Sequence, residues 1–139
     1  DVLTKNGIPK NIKVAVKVED KAEKIMADPD YVKRIAANLT LNAVQAMPNG
    51  GKLTIRTYVD EQTNDVLITV KDTGVGIPED IKPKLFTPMM TTKSKGQGFG
   101  LAVVKRMTEG LGGTVTFEST EGKGTTFIVR LPLAPRARR

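Results

Sequence analysis

The chain has 139 residues, of which 39% are hydrophobic and 27% charged, a balance typical of one soluble globular domain. It contains no cysteine and no histidine, which excludes disulfides, thiolate metal sites and the usual general base near neutral pH. Its formal charge of +7 suits a nucleic acid, a membrane surface or an anionic cofactor, although 4% of aromatic residues is too few to stack single-stranded bases.

Period-two hydrophobicity predicts the first strand over Ile12–Val18, where every even position is Ile or Val. The polar residues 1–11 before it are interpreted as a lead-in segment. The apolar residues 25–27 are a candidate for a second strand. Asp28 and Pro29 then predict the start of a helix, because Asp can cap it and Pro suits its first position. That helix is expected to end near Met47, with an apolar face formed by Val32, Ile35, Ala36, Leu39 and Ala43.

The rest of the chain predicts further strands around one long irregular segment. Strands are expected at residues 53–57 and 66–70, and two more near Phe117 and Phe127. Residues 72–100 are interpreted as loops with one short helix near residues 79–85, and a loop this long is often functional. A second long helix is predicted over residues 99–111. Strands joined by short turns favour antiparallel pairing, so the fold class is α+β, a two-layer α/β sandwich with helices on one face.

A polar stripe runs along the first long helix, on the side next to its apolar face. Arg34, Asn38, Asn42 and Gln45 follow one another at helical spacing. Asn is a poor helix former, so two Asn residues one turn apart need a reason. One explanation is a solvated face; the other is a face toward a ligand. An amide oxygen is a hard, neutral ligand of the kind that suits Mg²⁺ beside phosphate oxygens.

The second motif is Asp-Thr-Gly-Val-Gly-Ile-Pro at residues 72–78. Asp72 ends a hydrophobic strand, so its carboxylate is expected at the rim of the sheet, where it can accept from a donor such as the amine of adenine. Gly74 and Gly76 let the backbone approach a ligand or adopt positive φ. An ordinary turn after a strand is the alternative.

The third motif places three alternating glycines, at positions 96, 98 and 100, directly before a predicted helix. Backbone N–H groups at a helix start form an anion site, and Lys93 and Lys95 add positive charge. Neither the Walker pattern nor the Rossmann spacing is present, and a mobile surface loop is the alternative. A ligand-binding loop of this composition is expected to order on its ligand as a lid.

Together the motifs resemble the Bergerat-type ATP-binding fold of gyrase-type topoisomerases, heat-shock chaperones, histidine kinases and mismatch-repair ATPases. The likeness covers residues 12–132 and is strongest to sensor histidine kinase catalytic domains. The asparagine box is at residues 38–43, the first glycine box at 72–78, the phenylalanine box at 85–93 and the second glycine box at 96–101. The resemblance implies a mixed, mostly antiparallel sheet of about five strands, three helices and a flexible lid. The catalytic domain would span residues 12–133, followed by a basic tail at residues 134–139.

The resemblance also implies which residues bind Mg-ATP or Mg-ADP. Asn42 would hold Mg²⁺ with Asn38 assisting, and Lys93 would complete the catalytic set. Asp72 would accept from the adenine amine. The other cofactor-binding positions would be Gln45, Ala46, Gly74, Gly76, Ile77, Thr92, Gly96, Gly98, Phe99, Gly100, Leu101 and Thr125.

The identity of the residue at position 38 distinguishes a kinase from a hydrolase, and here it is Asn38. Hydrolysing members of the superfamily carry Glu at this place, whereas a neutral amide cannot take a proton at pH 7. The expected activity is transfer of the γ-phosphoryl group to a His on a separate dimerisation and phosphoacceptor domain, since this chain has no His. One alternative is a protein-serine kinase resembling anti-sigma-factor kinases, which would be expected to have Glu at position 38. Another is a basic nucleic-acid-binding module.

Further expectations concern the partners and the parent protein. The acceptor domain would lie upstream in the same polypeptide, and a response regulator receiver domain would act with it indirectly. The fragment itself would be monomeric, would bind no nucleic acid, and would lie in the cytoplasm. A membrane anchor elsewhere in the parent protein is compatible with this location.

Overall fold

The structure is a computed structural model that describes residues 9–19, 22, 29–87 and 97–132. These residues contain five strands and two α-helices, together with one 3-10 helix at Lys82–Lys84. The strands are β1 (Ile12–Val18), β2 (Gly51–Val59), β3 (Val66–Asp72), β4 (Thr114–Thr120) and β5 (Gly124–Leu131). The α-helices are α1 (Pro29–Gln45) and α2 (Gln97–Gly110).

The strands form one sheet in the order β1-β2-β3-β5-β4. The edge strand β1 runs parallel to β2, and the other three pairings are antiparallel. Helix α1 packs against β3, α2 packs against β4, and the two helices contact each other, so both cover the same face of the sheet. The predicted fold class, a two-layer α/β sandwich with a mixed and mostly antiparallel sheet, is therefore confirmed.

The predicted number of three helices is wrong for the described part of the chain, which has two α-helices. Residues 79–85, expected to form the third, contain only the 3-10 helix Lys82–Lys84. Its bonds join residues three apart, from Lys84 N–H to the Ile81 carbonyl at 2.9 Å and from Leu85 N–H to the Lys82 carbonyl at 3.3 Å. Pro83 has no N–H to donate, so an α-helical ladder cannot run through this segment.

Three other predictions fall wholly or partly outside the described residues. These are the strand at residues 25–27, most of the lead-in segment and the basic tail. The long helices, by contrast, lie close to their predicted bounds. α1 starts at the proline expected to open it, and α2 starts two residues earlier than expected.

A single apolar layer fills the space between the helices and the sheet. All five residues of the predicted α1 face are at most 9% exposed, and Phe127 and Val129 of β5 are fully buried against them. Helix α2 adds Leu101, Val104 and Met107. The core therefore anchors the end of β3 and the last turn of α1 in fixed positions.

Two hydroxyl groups, Thr40 Oγ1 and Thr108 Oγ1, are buried without a hydrogen-bond partner. Thr108 is fully buried in α2. Replacing it by the similarly shaped Val removes an unsatisfied polar group, so Thr108→Val should raise the free energy of unfolding by about 1 kcal/mol in urea denaturation. The control is Thr116→Val, which changes an exposed threonine of β4 and should change the free energy of unfolding by less than about 0.5 kcal/mol. A clear loss of stability in Thr108→Val would contradict the assignment of an unsatisfied hydroxyl.

Candidate functional site

Asp72, the last residue of β3, carries a buried carboxylate with one oxygen left unsatisfied. The side chain is 2% exposed, and its Oδ1 accepts from the Gly74 N–H at 2.8 Å. Its Oδ2 is buried and has no hydrogen-bond partner in the part of the chain that the structure describes. Burial raises the pKa of Asp72 above its usual value, although the N–H groups of Gly74 and Thr125 act in the opposite direction. An unsatisfied buried acceptor of this kind is a signature of a group that a ligand completes.

The glycine loop, residues 73–78, connects Asp72 to the C-terminal end of α1. The Val75 N–H donates to the Ala46 carbonyl at 2.9 Å. A Cβ atom on Gly74 would lie 2.1 Å from that same carbonyl oxygen, so the contact requires glycine. Ala46 lies one turn after Asn42, to whose carbonyl its N–H donates at 3.0 Å. The fold thus brings the asparagine-bearing end of α1 beside the strand-end carboxylate.

The other side of the glycine loop rests on the turn between β4 and β5. The Gly122 N–H donates to the Val75 carbonyl at 2.6 Å. Gly76 has a φ of +75°, and a Cβ there would lie 2.3 Å from the Thr120 carbonyl oxygen. The loop is therefore clamped between a helix and a hairpin, which presets its backbone before any ligand arrives.

Strand β5 supplies the third side of the site through Thr125. This residue is the cross-strand neighbour of Asp72 and is 5% exposed. Its Oγ1 lies 2.9 Å from Ser119 Oγ, and Ser119 Oγ also accepts from the Ile77 N–H at 2.9 Å. Ser119 is not among the site residues predicted from the sequence. The signal in the sequence was the period-two pattern of β4, in which Ser119 follows Val115 and Phe117 on the half-buried face and is the polar member of the three.

The predicted polar stripe of α1 lies on a partly accessible surface. Asn38 and Asn42 are half-buried, Ala46 is half-buried, and Arg34 and Gln45 are exposed. The side-chain amides of Asn38 and Asn42 make no hydrogen bond within the described residues. Both amides are thus available to a ligand or to a metal bound with it.

The predicted phosphate-binding segment is described only in part. Thr92, Lys93 and Gly96 lie outside the described residues. Gly98, Phe99 and Gly100 belong to the first turn of α2, so the helix starts within the glycine-rich motif and not after it. Among the described residues, no atom lies within 4 Å of the position that a Cβ on Gly100 would take. The Leu101 side chain is buried in the core.

The remaining surface offers neither a carboxylate metal cluster nor a membrane span. Among residues 9–19, 22, 29–87 and 97–132, no group of three or more acidic side chains could hold a metal ion. Within the same ranges, no helix has the length and hydropathy needed to cross a bilayer.

Comparison with known proteins agrees with this geometry. Residues 27–135 match the family described as Histidine kinase-, DNA gyrase B-, and HSP90-like ATPase. Sensor histidine kinase ZraS of Salmonella typhi is 36% identical over 136 residues, which cover 98% of this chain and 29% of ZraS. Sporulation kinase E of Bacillus subtilis is 34% identical over 137 residues, 99% of this chain and 18% of that kinase. The chain thus spans less than a third of these relatives.

Solved structures show the same likeness in three dimensions. The catalytic domain of histidine kinase ThkA aligns with a TM-score of 0.75 and 34% identity, covering 92% of this chain and 83% of that chain. Full-length ShkA, solved in complex with AMPPNP, aligns with a TM-score of 0.76 and 29% identity, covering 91% of this chain and 27% of ShkA. With most of its length matched in both sequence and fold, the chain belongs to the histidine kinase-, DNA gyrase B- and HSP90-like ATPase family.

Proposed function

We propose that this chain is the Mg-ATP-binding catalytic domain of a sensor histidine kinase, which transfers the γ-phosphoryl group to a His on a separate dimerisation and phosphoacceptor domain. The observation that carries the proposal is the buried, unpaired Oδ2 of Asp72. An acceptor-only atom at that position suits the exocyclic amine of adenine. The glycines beside it let the loop pack closely, because a Cβ on Gly74 or Gly76 would collide with a carbonyl oxygen, and this packing fixes the backbone next to Asp72.

The phosphates and their metal would lie between the α1 stripe and the start of α2. Asn42 would hold Mg²⁺ through its free amide, and Asn38 would assist. When bound, Mg²⁺ neutralises charge on the phosphates, which is a large part of phosphoryl-transfer catalysis. Lys93 and the N–H groups of Gly98, Gly100 and Leu101 would hold the phosphates at the positive end of α2. Gln45, Ala46, Gly76, Ile77, Thr92, Gly96, Phe99 and Thr125 complete the proposed nucleotide contacts.

The amide at position 38 supports a kinase rather than a hydrolase. A side chain that cannot accept a proton at pH 7 gives no base for activating water, so the domain acts by positioning and charge neutralisation. The acceptor nitrogen of a neutral imidazole needs no base. A serine hydroxyl does need one, and the matched relatives include proteins named sensor histidine kinase, which does not favour the protein-serine alternative.

The partners follow from this assignment. The acceptor domain would belong to the same parent protein, and a response regulator receiver domain would receive the phosphoryl group from it. The isolated chain would be monomeric and cytoplasmic. ADP would bind at the same site as ATP.

The function is tested by calorimetric titration of Mg-ATP and by phosphotransfer to a supplied His-bearing acceptor domain. The chain should bind Mg-ATP, hydrolyse it very slowly on its own, and label the acceptor histidine. Fast ATP turnover by the chain alone, or no labelling by a chain that binds Mg-ATP, contradicts the kinase assignment.

Asn42→Ala should weaken Mg-ATP binding about ten-fold while leaving the affinity for metal-free ATP unchanged, because the lost amide contacts the metal. Titrations with and without Mg²⁺ measure both values. The control is Asn49→Ala, which changes an exposed asparagine in the turn after α1 and should alter neither affinity. An equal loss of affinity for Mg-ATP and for metal-free ATP would rule out a metal contact for Asn42.

A further inference from the structure

Ser119 of β4 lies at the centre of a small hydrogen-bond network beneath the glycine loop. Its Oγ accepts from the Ile77 N–H at 2.9 Å and donates to the Gly124 carbonyl at 3.1 Å. It also lies 2.9 Å from Thr125 Oγ1, a contact in which either hydroxyl can be the donor. Ser119 thus connects the loop, the β4–β5 turn and the residue opposite Asp72.

The number of protons decides the direction of the contact between the two hydroxyls. A serine hydroxyl has one proton and two lone pairs. The Gly124 carbonyl can only accept, so the Ser119 proton serves that bond. One lone pair of Ser119 takes the Ile77 N–H, and the other takes the Thr125 hydroxyl proton. This is the one arrangement in which all three bonds exist together, and it leaves Thr125 Oγ1 with only acceptor capacity toward the site.

We infer that Ser119 is a positioning residue for purine selectivity, because it draws the Thr125 hydroxyl proton away from the ligand. The inference rests on the proposed function. Asp72 and Thr125 are paired across β3 and β5, so the site presents two neighbouring acceptors, Oδ2 of Asp72 and Oγ1 of Thr125. The 6-amino group of adenine has two hydrogens and donates one to each oxygen. The 6-oxo group of hypoxanthine or guanine has none and meets two acceptors.

A purely structural role for Ser119 makes a different prediction. If the Ser119 hydroxyl only holds Ile77 against the hairpin, loss of this hydroxyl lowers the affinities for all nucleotides by the same factor. If it orients Thr125, its loss frees a proton that Thr125 can donate to a 6-oxo group. The ratio of the affinities for Mg-ATP and Mg-ITP, which differ at the purine 6-position, therefore separates the two roles.

The test is calorimetric titration of Mg-ATP and Mg-ITP into the wild-type chain and its variants. Ser119→Ala should lower the ATP-to-ITP affinity ratio about ten-fold, as expected for one buried hydrogen bond gained by ITP. Ser119→Thr retains the hydroxyl and should restore the wild-type ratio. In a Thr125→Val background, Ser119→Ala should leave the ratio unchanged, since no hydroxyl remains to reorient.

An unchanged ATP-to-ITP ratio in Ser119→Ala, with both affinities reduced alike, overturns the inference and leaves the proposed function intact. A wild-type chain that does not bind Mg-ATP overturns the proposed function instead. Should Ser119→Ala fail to fold, Ser119→Cys carries the same expectation with a smaller change, because a thiol is a weak donor and acceptor. An unchanged ratio in that variant contradicts the inference equally.

Discussion

Asp72→Asn should weaken Mg-ATP binding about one hundred-fold while leaving the free energy of unfolding unchanged or up to about 1 kcal/mol higher. The substitution keeps the oxygen that accepts from the Gly74 N–H, but it places an NH₂ donor where the unpaired Oδ2 now lies. Two donors, the new amide and the adenine amine, then face each other. The fold, however, no longer buries a charge that lacks a full set of partners. Calorimetric titration and urea denaturation measure the two effects.

The raised pKa of Asp72 makes both the free energy of unfolding and the nucleotide affinity depend on pH. Because the folded state retains the proton to higher pH than the unfolded state, ionisation of Asp72 disfavours the fold above its folded-state pKa. This penalty disappears as pH falls below the unfolded value. The stability difference between wild type and Asp72→Asn should therefore be present at neutral pH and vanish in acid. Nucleotide affinity should change in the opposite sense, falling in wild type as pH drops through the raised pKa.

Asp80→Asn is the matched control, because it makes the same chemical change at an exposed carboxylate after the glycine loop. It should alter neither nucleotide affinity nor its pH profile. If Asp72→Asn changes the affinity for Mg-ATP by less than about two-fold, Asp72 does not make the adenine contact assigned to it.

Gly76→Ala should lower the free energy of unfolding by about 3 kcal/mol and abolish measurable nucleotide binding. The residue has a φ of +75°, where an L side chain is strained by about 1–2 kcal/mol. Its Cβ would also lie 2.3 Å from the Thr120 carbonyl oxygen, a backbone atom that cannot turn aside. The hairpin or the glycine loop must then move, and the loop carries Ile77 and the backbone next to Asp72. Urea denaturation and Mg-ATP titration report the two losses.

Gly122→Ala separates backbone strain from steric conflict. Gly122 has a similar φ of +85°, but a Cβ there would meet no atom within 4 Å. Its replacement should cost only about 1 kcal/mol and should leave Mg-ATP affinity nearly unchanged. If Gly76→Ala and Gly122→Ala lower the free energy of unfolding equally, the close approach of Gly76 to the hairpin does not add to the loss of stability.

Local patterns in the sequence predicted most of the helices and strands correctly. Period-two alternation marked the strands, and the capping pair at residues 28–29 marked the start of α1. The prediction failed at residues 79–85, where Pro83 has no N–H to donate and the helix is one 3-10 turn.

By itself, the sequence determined which side chains are candidates for the site. The two asparagines at helical spacing, the aspartate after a hydrophobic strand and the alternating glycines are local features, since each depends on residues a few positions apart. The resemblance that these motifs carry predicted the class of ligand.

Only the tertiary structure decided which of these groups meet and in what state. The hydrogen bond from Val75 to Ala46 spans 29 positions, and the pairing of Asp72 with Thr125 spans 53. Such contacts depend on how the helix and hairpin pack, which no local pattern encodes. The unpaired Oδ2 of Asp72 and the three bonds of Ser119 are consequences of that packing, because burial and partner geometry exist only once distant segments have been brought together.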